Sequence, residues 1–332
     1  MSDSPWSARI GAVALGAVLV VGAAPPVHAM APAPAAAPAA VGSQDDPDTL
    51  TVMSRNLYLG ADVGVALDLL PDLAAAAQFM WDQVAATDFD SRVGLLAQEV
   101  VDAEPDVISL QEATVWACRP SPLSGPQTVY DFTEQFLAAT REAGVGYVVA
   151  EHDGDRAFNP GYEIPAIPWL TSVEDPETFQ PRFGTDSADC GFTISDALLV
   201  REDLADDVLA AGTSEYEQRY AVVPVVFAID RGYAWADLAV AGTTVRLVTT
   251  HLESLWSGDE VPSAAQSRQL VEDLSSTTVP LVVLGDFNAD PRDPRGPGDP
   301  NPGGQPEASE SCPAQPSPLT PDNGDPTCNA FW

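Results

Sequence analysis

Leu281-Val282-Val283-Leu284-Gly285-Asp286-Phe287-Asn288-Ala289-Asp290 is an apolar run that breaks at a glycine and then presents an acid and an amide. The run has the length and residue types of a buried strand. Side chains at i and i+2 of an extended chain point the same way, so Asp286 and Asn288 lie side by side at the strand's end. Hard cations such as Mg²⁺ take oxygen ligands of that kind. The same residues also fit an Asx turn that caps a core strand, and the segment alone leaves both readings open.

Three more segments repeat this construction. Pro105-Asp106-Val107-Ile108-Ser109-Leu110-Gln111-Glu112 is a short buried strand ending in an acid. Glu112 could ligate the same cation, or it could be a solvated loop residue. Val245-Arg246-Leu247-Val248-Thr249-Thr250-His251-Leu252-Glu253 puts His251 at the end of an apolar strand. An imidazole there can donate to a phosphate oxygen or act as a general acid; the alternative is a histidine satisfied by backbone partners. Leu50-Thr51-Val52-Met53-Ser54-Arg55-Asn56-Leu57 delivers Asn56, which in isolation reads as a turn residue. Ligands gather at strand ends in α/β sheets, and four such ends carry more weight together than any one of them.

From Thr49 to Pro291 strand-like and helix-like segments alternate, which predicts an α/β or α+β domain. Strands are expected at Leu50–Ser54, Val107–Leu110, Tyr147–Ala150, Ala197–Arg201, Val222–Ile229, Ala234–Val240, Val245–Thr250 and Leu281–Leu284. Helices are expected at Ser91–Ala103, Phe132–Ala143 and Ala264–Leu274. In the first of these, Val93, Leu96, Ala97 and Val100 recur at helical spacing, and Glu104-Pro105-Asp106 stops it. Gly242-Thr243 is expected to turn a hairpin.

The set Ser54-Arg55-Asn56, Leu110-Gln111-Glu112, Thr250-His251-Leu252 and Gly285-Asp286-Phe287-Asn288 resembles, in order and spacing, the endonuclease/exonuclease/phosphatase superfamily. That superfamily includes DNase I-like nucleases, apurinic endonucleases, inositol polyphosphate phosphatases and bacterial sphingomyelinases. The resemblance spans residues 49–291, with Gly-Asp-Phe-Asn its most specific piece and Leu-Gln-Glu the next. It implies an α/β fold, a DNase I-like four-layered sandwich of two mixed β-sheets flanked by helices. It also implies Mg²⁺- or Mn²⁺-dependent hydrolysis of a phosphodiester or phosphomonoester. By the same resemblance Glu112 binds the metal with help from Asn56, and Asp286 orients or activates the attacking water. Asn288 then holds the scissile phosphate, and His251 contacts a phosphate oxygen in the pentacovalent state. Arg231, just before the strand at Ala234, is a further candidate phosphate contact. Hydrolysis of this kind mainly needs positioning and charge stabilisation around an in-line water.

Composition narrows the substrate. The chain of 332 residues has 49 acids, 14 bases and a formal charge of −35. Every base is arginine, which excludes a phosphate loop built on lysine and any Schiff-base chemistry. Affinity for duplex DNA rests largely on cationic contacts, so the charge favours a small or lipid-derived phosphoester. No stable protein partner is expected, and the chain is read as a monomer. At the N-terminus, Arg9, the apolar run Ile10–Ala24 and Val27-His28-Ala29 read as a cleaved export signal over residues 1–29. The rival, a membrane anchor, would need a run of about 20 residues, and Pro25-Pro26 closes this one after fifteen. Residues 30–48 are Ala/Pro-rich and read as a disordered linker to the domain at 49–291. Four cysteines in an exported chain read as two disulfides, Cys118–Cys190 and Cys312–Cys328 being preferred among three pairings. A zinc site is the rival, but there is no Cys-x-x-Cys.

The resemblance stops before the family's last motif. Its members carry a Ser-Asp-His-like segment on a late strand, preceded by another Asp-bearing strand. Here no histidine follows His251, and residues 292–332 are a Pro/Gly-rich loop or tail. Two expectations follow: a C-terminally truncated form with lowered stability and weak activity, or a full site completed by another group as the tail docks over it. A non-catalytic extracellular binding protein on a degenerate scaffold is the competing function.

Overall fold

Side-chain alternation along the strands sorts residues onto two faces, and those faces build the layers. The computed structural model describes residues 49–119, 121, 123–174, 187–223, 227–255 and 262–288. The export segment, the linker, residues 292–332 and the Cys312–Cys328 pair lie outside these residues.

The first sheet contains β1 (Val52–Asn56), β2 (Val107–Arg119), β3 (Gln127–Asp131), β4 (Tyr147–Val149), β7 (Phe158–Ile164), β8 (Ser172–Glu174) and β9 (Ser187–Arg201). The second contains β10 (Val208–Glu215), β13 (Gly232–Val240), β14 (Thr243–His251) and β15 (Leu281–Asp286), in the order β10-β13-β14-β15. Two short hairpins stand apart: β5 (Glu151–His152) with β6 (Asp155–Arg156), and β11 (Tyr220–Val223) with β12 (Phe227–Ile229). Both large sheets are mixed. β1 runs parallel to β2 while β9 is antiparallel to it. β15 runs parallel to β14 while β13 is antiparallel to it. The helices are α1 (Val63–Asp68), α2 (Leu73–Thr87), α3 (Phe89–Ala103), α4 (Phe132–Glu142) and α5 (Pro262–Leu274).

On β2, Ile108 and Leu110 face outward and pack with Leu96 and Val100 of α3 and Phe132 and Phe136 of α4. Val107 faces the other way, and with Leu198 and Val200 of β9 it meets Ala234, Ala236 and Leu247 of the second sheet. The far face of that sheet carries Tyr233 and Val248, covered by Leu270 and Leu274 of α5. The layers are therefore α3/α4, first sheet, second sheet and α5, the sandwich that the resemblance implies. Local chemistry fixes the ends. Asp131 caps α4 by accepting from the Glu134 N–H at 3.0 Å. Glu104 closes α3 in the left-handed region, and the Tyr147 hydroxyl bonds the Pro105 carbonyl at 2.6 Å.

Several expectations change. Val222–Ile229 is not one strand: its described residues belong to two, β11 and β12, which pair antiparallel. The β13–β14 turn sits one residue earlier than expected, on Ala241-Gly242, both with positive φ (48° and 78°), as a two-residue hairpin loop requires. β2 and β9 run well past the expected Leu110 and Ala197, and Cys118 lies opposite Cys190 on them, joined by a disulfide. Helix α2, unanticipated in its Ala-rich sequence, braces that extension by setting Trp81 edge-on to Trp116 at 5.8 Å.

Candidate active site

Strand parity gathers the polar ends. On β1, Val52 packs between the sheets, and Asn56 lies two pairs further along the same face. On β14, Leu247 packs there and His251 follows at the same parity; on β15, Val282 does so and Asp286 follows. β1 is parallel to β2 and β14 to β15, so these C-terminal ends reach one end of the sandwich.

Glu112 arrives by a bulge. Gln111 and Glu112 together face the single residue Asp196 on β9, and Glu112 has φ 55°. The bulge re-aims its carboxylate toward Asn56. One amide nitrogen, Nδ2 of Asn56, donates to Oε1 of Glu112 at 2.9 Å and to Oδ2 of Asp286 at 3.1 Å. It thereby ties the two sheets together through two carboxylates. The Leu59 N–H donates to the other Glu112 oxygen at 2.5 Å. Arg92 holds the loop that carries this N–H: its guanidinium donates to the carbonyls of Leu57 (2.9 Å), Tyr58 (3.1 Å) and Thr87 (2.9 Å).

Asp286 accepts from the Asn288 N–H at 3.0 Å, the Asx turn that the sequence allows. Asn288 sits at φ 46°, and its amide donates to the Leu252 carbonyl at 2.8 Å. Gly285 is needed for this approach. A Cβ there would lie 2.0 Å from the Thr250 carbonyl oxygen, and its φ is +147°. Burial pushes the Asp286 carboxyl up, but His251, the Asn288 N–H and the Asn56 amide outweigh it and hold the group below its ordinary range.

His251 is 3% exposed and faces Arg231 and Asp196. Burial and the Arg231 charge push its pKa down to about 3. Asp196 is pushed up to about 7 by burial, against the pull of Arg231, and its Oδ1 is buried without a hydrogen-bond partner. Arg231 is 7% exposed and pairs with Glu253 at 3.3 Å, with its guanidinium 5.5 Å from the Tyr162 ring centroid. Burial would lower the Arg231 pKa, but Glu253 and its neighbours raise it.

The structure thus brings Asn56, Glu112, Asp286, Asn288, His251 and Arg231 to one end of the sandwich. Two cavities open there. One of about 310 Å³ is lined by Glu112, His251, Arg231, Tyr162 and Glu253 with apolar Leu59, Val63, Ile194, Ile229 and Leu255. The other, about 380 Å³ and more open, is lined by Ser54, Asn56, Gln111, Asp286 and Phe287. Asn288 lines both. Sequence reading missed Asp196, Tyr162, Glu253 and the structural role of Gln111. Asp196 lies just before a buried run, Ala197 to Val200, on a strand antiparallel to its neighbours. A search for polar residues before apolar runs as well as after them would have found it.

Among the described residues no three His, Cys, Asp or Glu side chains cluster closely enough to hold a metal by themselves. Mg²⁺ does not require such a cluster, because it keeps several waters and takes one or two carboxylates plus substrate oxygens. The converging oxygens of Glu112 and Asp286 around Asn56 fit that donor set.

The chain is similar to several solved structures. A humanized D. rerio TDP2 shares 15% identity, with 73% of this chain and 63% of that one covered and a TM-score of 0.36. A Bacteroides thetaiotaomicron mannosyl-6-phosphatase shares 17% identity, with 73% and 66% covered and a TM-score of 0.36. An endonuclease/exonuclease/phosphatase family protein from Leptotrichia buccalis shares 12% identity, with 73% and 67% covered and a TM-score of 0.38. The chain therefore spans somewhat less than two thirds of the first two structures' length. No curated protein matches it. The family model described as Endonuclease/Exonuclease/phosphatase family, whose members are phosphoester hydrolases that generally use divalent metals, matches residues 83–332. With that match over most of its length, the chain belongs to the Endonuclease/Exonuclease/phosphatase family.

Proposed function

We propose that this chain is a secreted, divalent-metal-dependent phosphoester hydrolase acting on a small or lipid-derived phosphoester in preference to duplex DNA. The observation that carries the reading is the Asn56 amide bonded at once to Glu112 on the first sheet and Asp286 on the second. Carboxylates brought this close repel one another unless a donor or a cation lies between them. Glu112, with Asp286 beside it, would hold Mg²⁺ or Mn²⁺, which when bound supplies Lewis-acid polarisation of a phosphoryl oxygen. Asn56, its Nδ2 turned to both carboxylates and its Oδ1 accepting from the Tyr58 N–H at 2.7 Å, positions them and is not itself a ligand. Asp286, ionised and aimed by two hydrogen bonds, orients the attacking water. Asn288 braces against Leu252 and presents its amide to the phosphate between the two cavities. His251 contributes to the phosphoryl oxygens from the second sheet.

The arginines near the site support a small substrate. Arg55 is paired with Glu99 at 3.0 Å, Arg92 is engaged by three carbonyls, and Arg231 is paired with Glu253. None of the three extends a cationic track for a polyanion. The Cys118–Cys190 disulfide supports an oxidising compartment, in keeping with export. The test is hydrolysis of bis(p-nitrophenyl) phosphate with Mg²⁺ or Mn²⁺, with chelator, and by Asp286→Ala. Chelator-sensitive turnover that disappears in a folded Asp286→Ala is the expected result. Turnover unaffected by chelator would remove the metal from the proposal, and no turnover in a folded protein would remove the enzyme.

A further inference from the structure

Arginine has five N–H donors and no acceptor. Nη1 of Arg231 lies 3.1 Å from Nδ1 of His251, so in that hydrogen bond Nδ1 must be the acceptor and carry no proton. We propose that Arg231 is a positioning residue that fixes His251 as the neutral Nε2–H tautomer, so that His251 offers the phosphoryl oxygen a hydrogen bond and not a proton. The significance for catalysis rests on His251 facing the phosphate as proposed above; the tautomer itself does not.

The usual way to orient a histidine is a carboxylate that accepts from Nδ1–H. Asp196 is the residue placed to do this, and it falls short. Its Oδ1 is 3.8 Å from Nδ1, beyond hydrogen-bond range, and has no partner of its own. Arg231 is instead within range and is held there from two other sides. Oε2 of Glu253 accepts from its Nε at 3.3 Å, and the Tyr162 ring lies under the guanidinium. Glu253 is itself fixed, its other oxygen accepting from the Leu255 N–H at 2.9 Å and its own N–H donating to Gln266 at 2.8 Å. Register does the rest. Tyr233 pairs with Thr250 across antiparallel β13 and β14, so Arg231, just ahead of β13, comes level with the residues that follow Thr250. With Nδ1 occupied, Nε2 is the ring nitrogen left to the cavity that His251 lines. A cation against Nδ1 also disfavours a second ring proton, which a general acid would have to carry.

The experiment is a long-range ¹H–¹⁵N correlation of imidazole nitrogens in the ¹⁵N-labelled full chain at neutral pH, with chelator present. The His251 signals are identified by their loss in His251→Gln. The wild type is expected to give the Nε2–H pattern, unchanged in Asp196→Asn and converted to an Nδ1–H or mixed pattern in Arg231→Met. If Arg231→Met does not fold, the wild type and the near-isosteric Asp196→Asn still decide. An Nδ1–H or doubly protonated ring in the wild type overturns the proposal. So does a pattern that changes in Asp196→Asn, or one that persists in folded Arg231→Met. A chain with the Nε2–H tautomer but no phosphodiesterase turnover would keep this inference and sink the functional one.

Discussion

The space between the two sheets has a dry end and a wet end, and the same strands build both. At the dry end Val107, Leu198 and Val200 meet Ala234, Ala236 and Leu247, all fully buried. One pair further along, Ser109 of β2 and Thr249 of β14 meet instead, their hydroxyls 2.7 Å apart. Gln111 donates to both hydroxyls, at 2.7 and 3.1 Å. One pair beyond that come Asn56, His251 and Asp286. Parity never changes along this path; only residue type does. The apolar half sets the distance between the sheets, and the polar half uses that distance to hold the side chains of the site.

The largest effect should come where the two ends are joined by backbone. Gly285→Val puts a Cβ 2.0 Å from the Thr250 carbonyl oxygen at φ +147°, so β15 must leave β14. We expect a loss above about 4 kcal/mol in urea unfolding, in the range reserved for backbone clash and strain. Gly242→Ala is the control. Its φ is +78°, but nothing lies within 4 Å, so the cost should be about 1 kcal/mol. Equal losses would mean that backbone conformation, and not the contact with Thr250, makes Gly285 necessary.

Leu247→Ala and Thr249→Val then compare the two ends directly. Leu247→Ala leaves a cavity in the dry half and should cost about 3 kcal/mol, with turnover per folded molecule preserved. Thr249→Val keeps the volume but removes the oxygen shared by Ser109 and Gln111, and should cost about 1–2 kcal/mol. Gln111 lies beside Glu112 on the bulge, so Thr249→Val should also weaken metal-stimulated turnover. If Leu247→Ala reduces turnover more than Thr249→Val does, the ends are not separable.

The dry end was largely legible in the sequence, because β-branched runs such as Val245–Val248 announce a strand and its two faces. Asn56, Glu112, His251 and Asp286 were legible as groups at strand ends, because each follows such a run. Three things were hidden. The bulge at Glu112 makes β2 look finished at Leu110, since its continuation, Ala113–Arg119, includes small and polar residues whose partners on β9 are just as mixed. Helix α2 opens on an alanine run and bunches Phe79, Met80 and Trp81 together, which blurs its helical spacing, and Trp81 finds its partner Trp116 only once β2 is extended. Asp196 lies inside β9 but ahead of its most apolar run, so its place opposite Glu112 depends on an antiparallel pairing that one chain segment cannot announce.

The last effect is a slope with pH, and it tests whether the wet end is as dry electrostatically as its packing suggests. Asp196 is pushed from an ordinary 3.8 to about 7, chiefly by burial. Between these values the folded chain binds a proton that the unfolded chain has lost, so this group's contribution to stability falls as pH rises from about 4 to 7. His251 works the other way. It is pushed from 6.5 to about 3, again by burial first and Arg231 second. The unfolded chain then binds the extra proton, and this contribution is present above about 6.5 and lost as pH falls toward 3. In the native chain the two slopes largely oppose each other over pH 4–6.5, so neither is visible alone. Substitution separates them. In urea unfolding with chelator present, the stability of Asp196→Asn relative to wild type should rise with pH across this window, and that of His251→Gln should fall. The many surface acids titrate equally in variant and wild type and drop out of both differences. A flat difference for Asp196→Asn would mean that water reaches Oδ1 and the carboxylate ionises normally, so the wet end would be solvated behind His251 and not only in front of it.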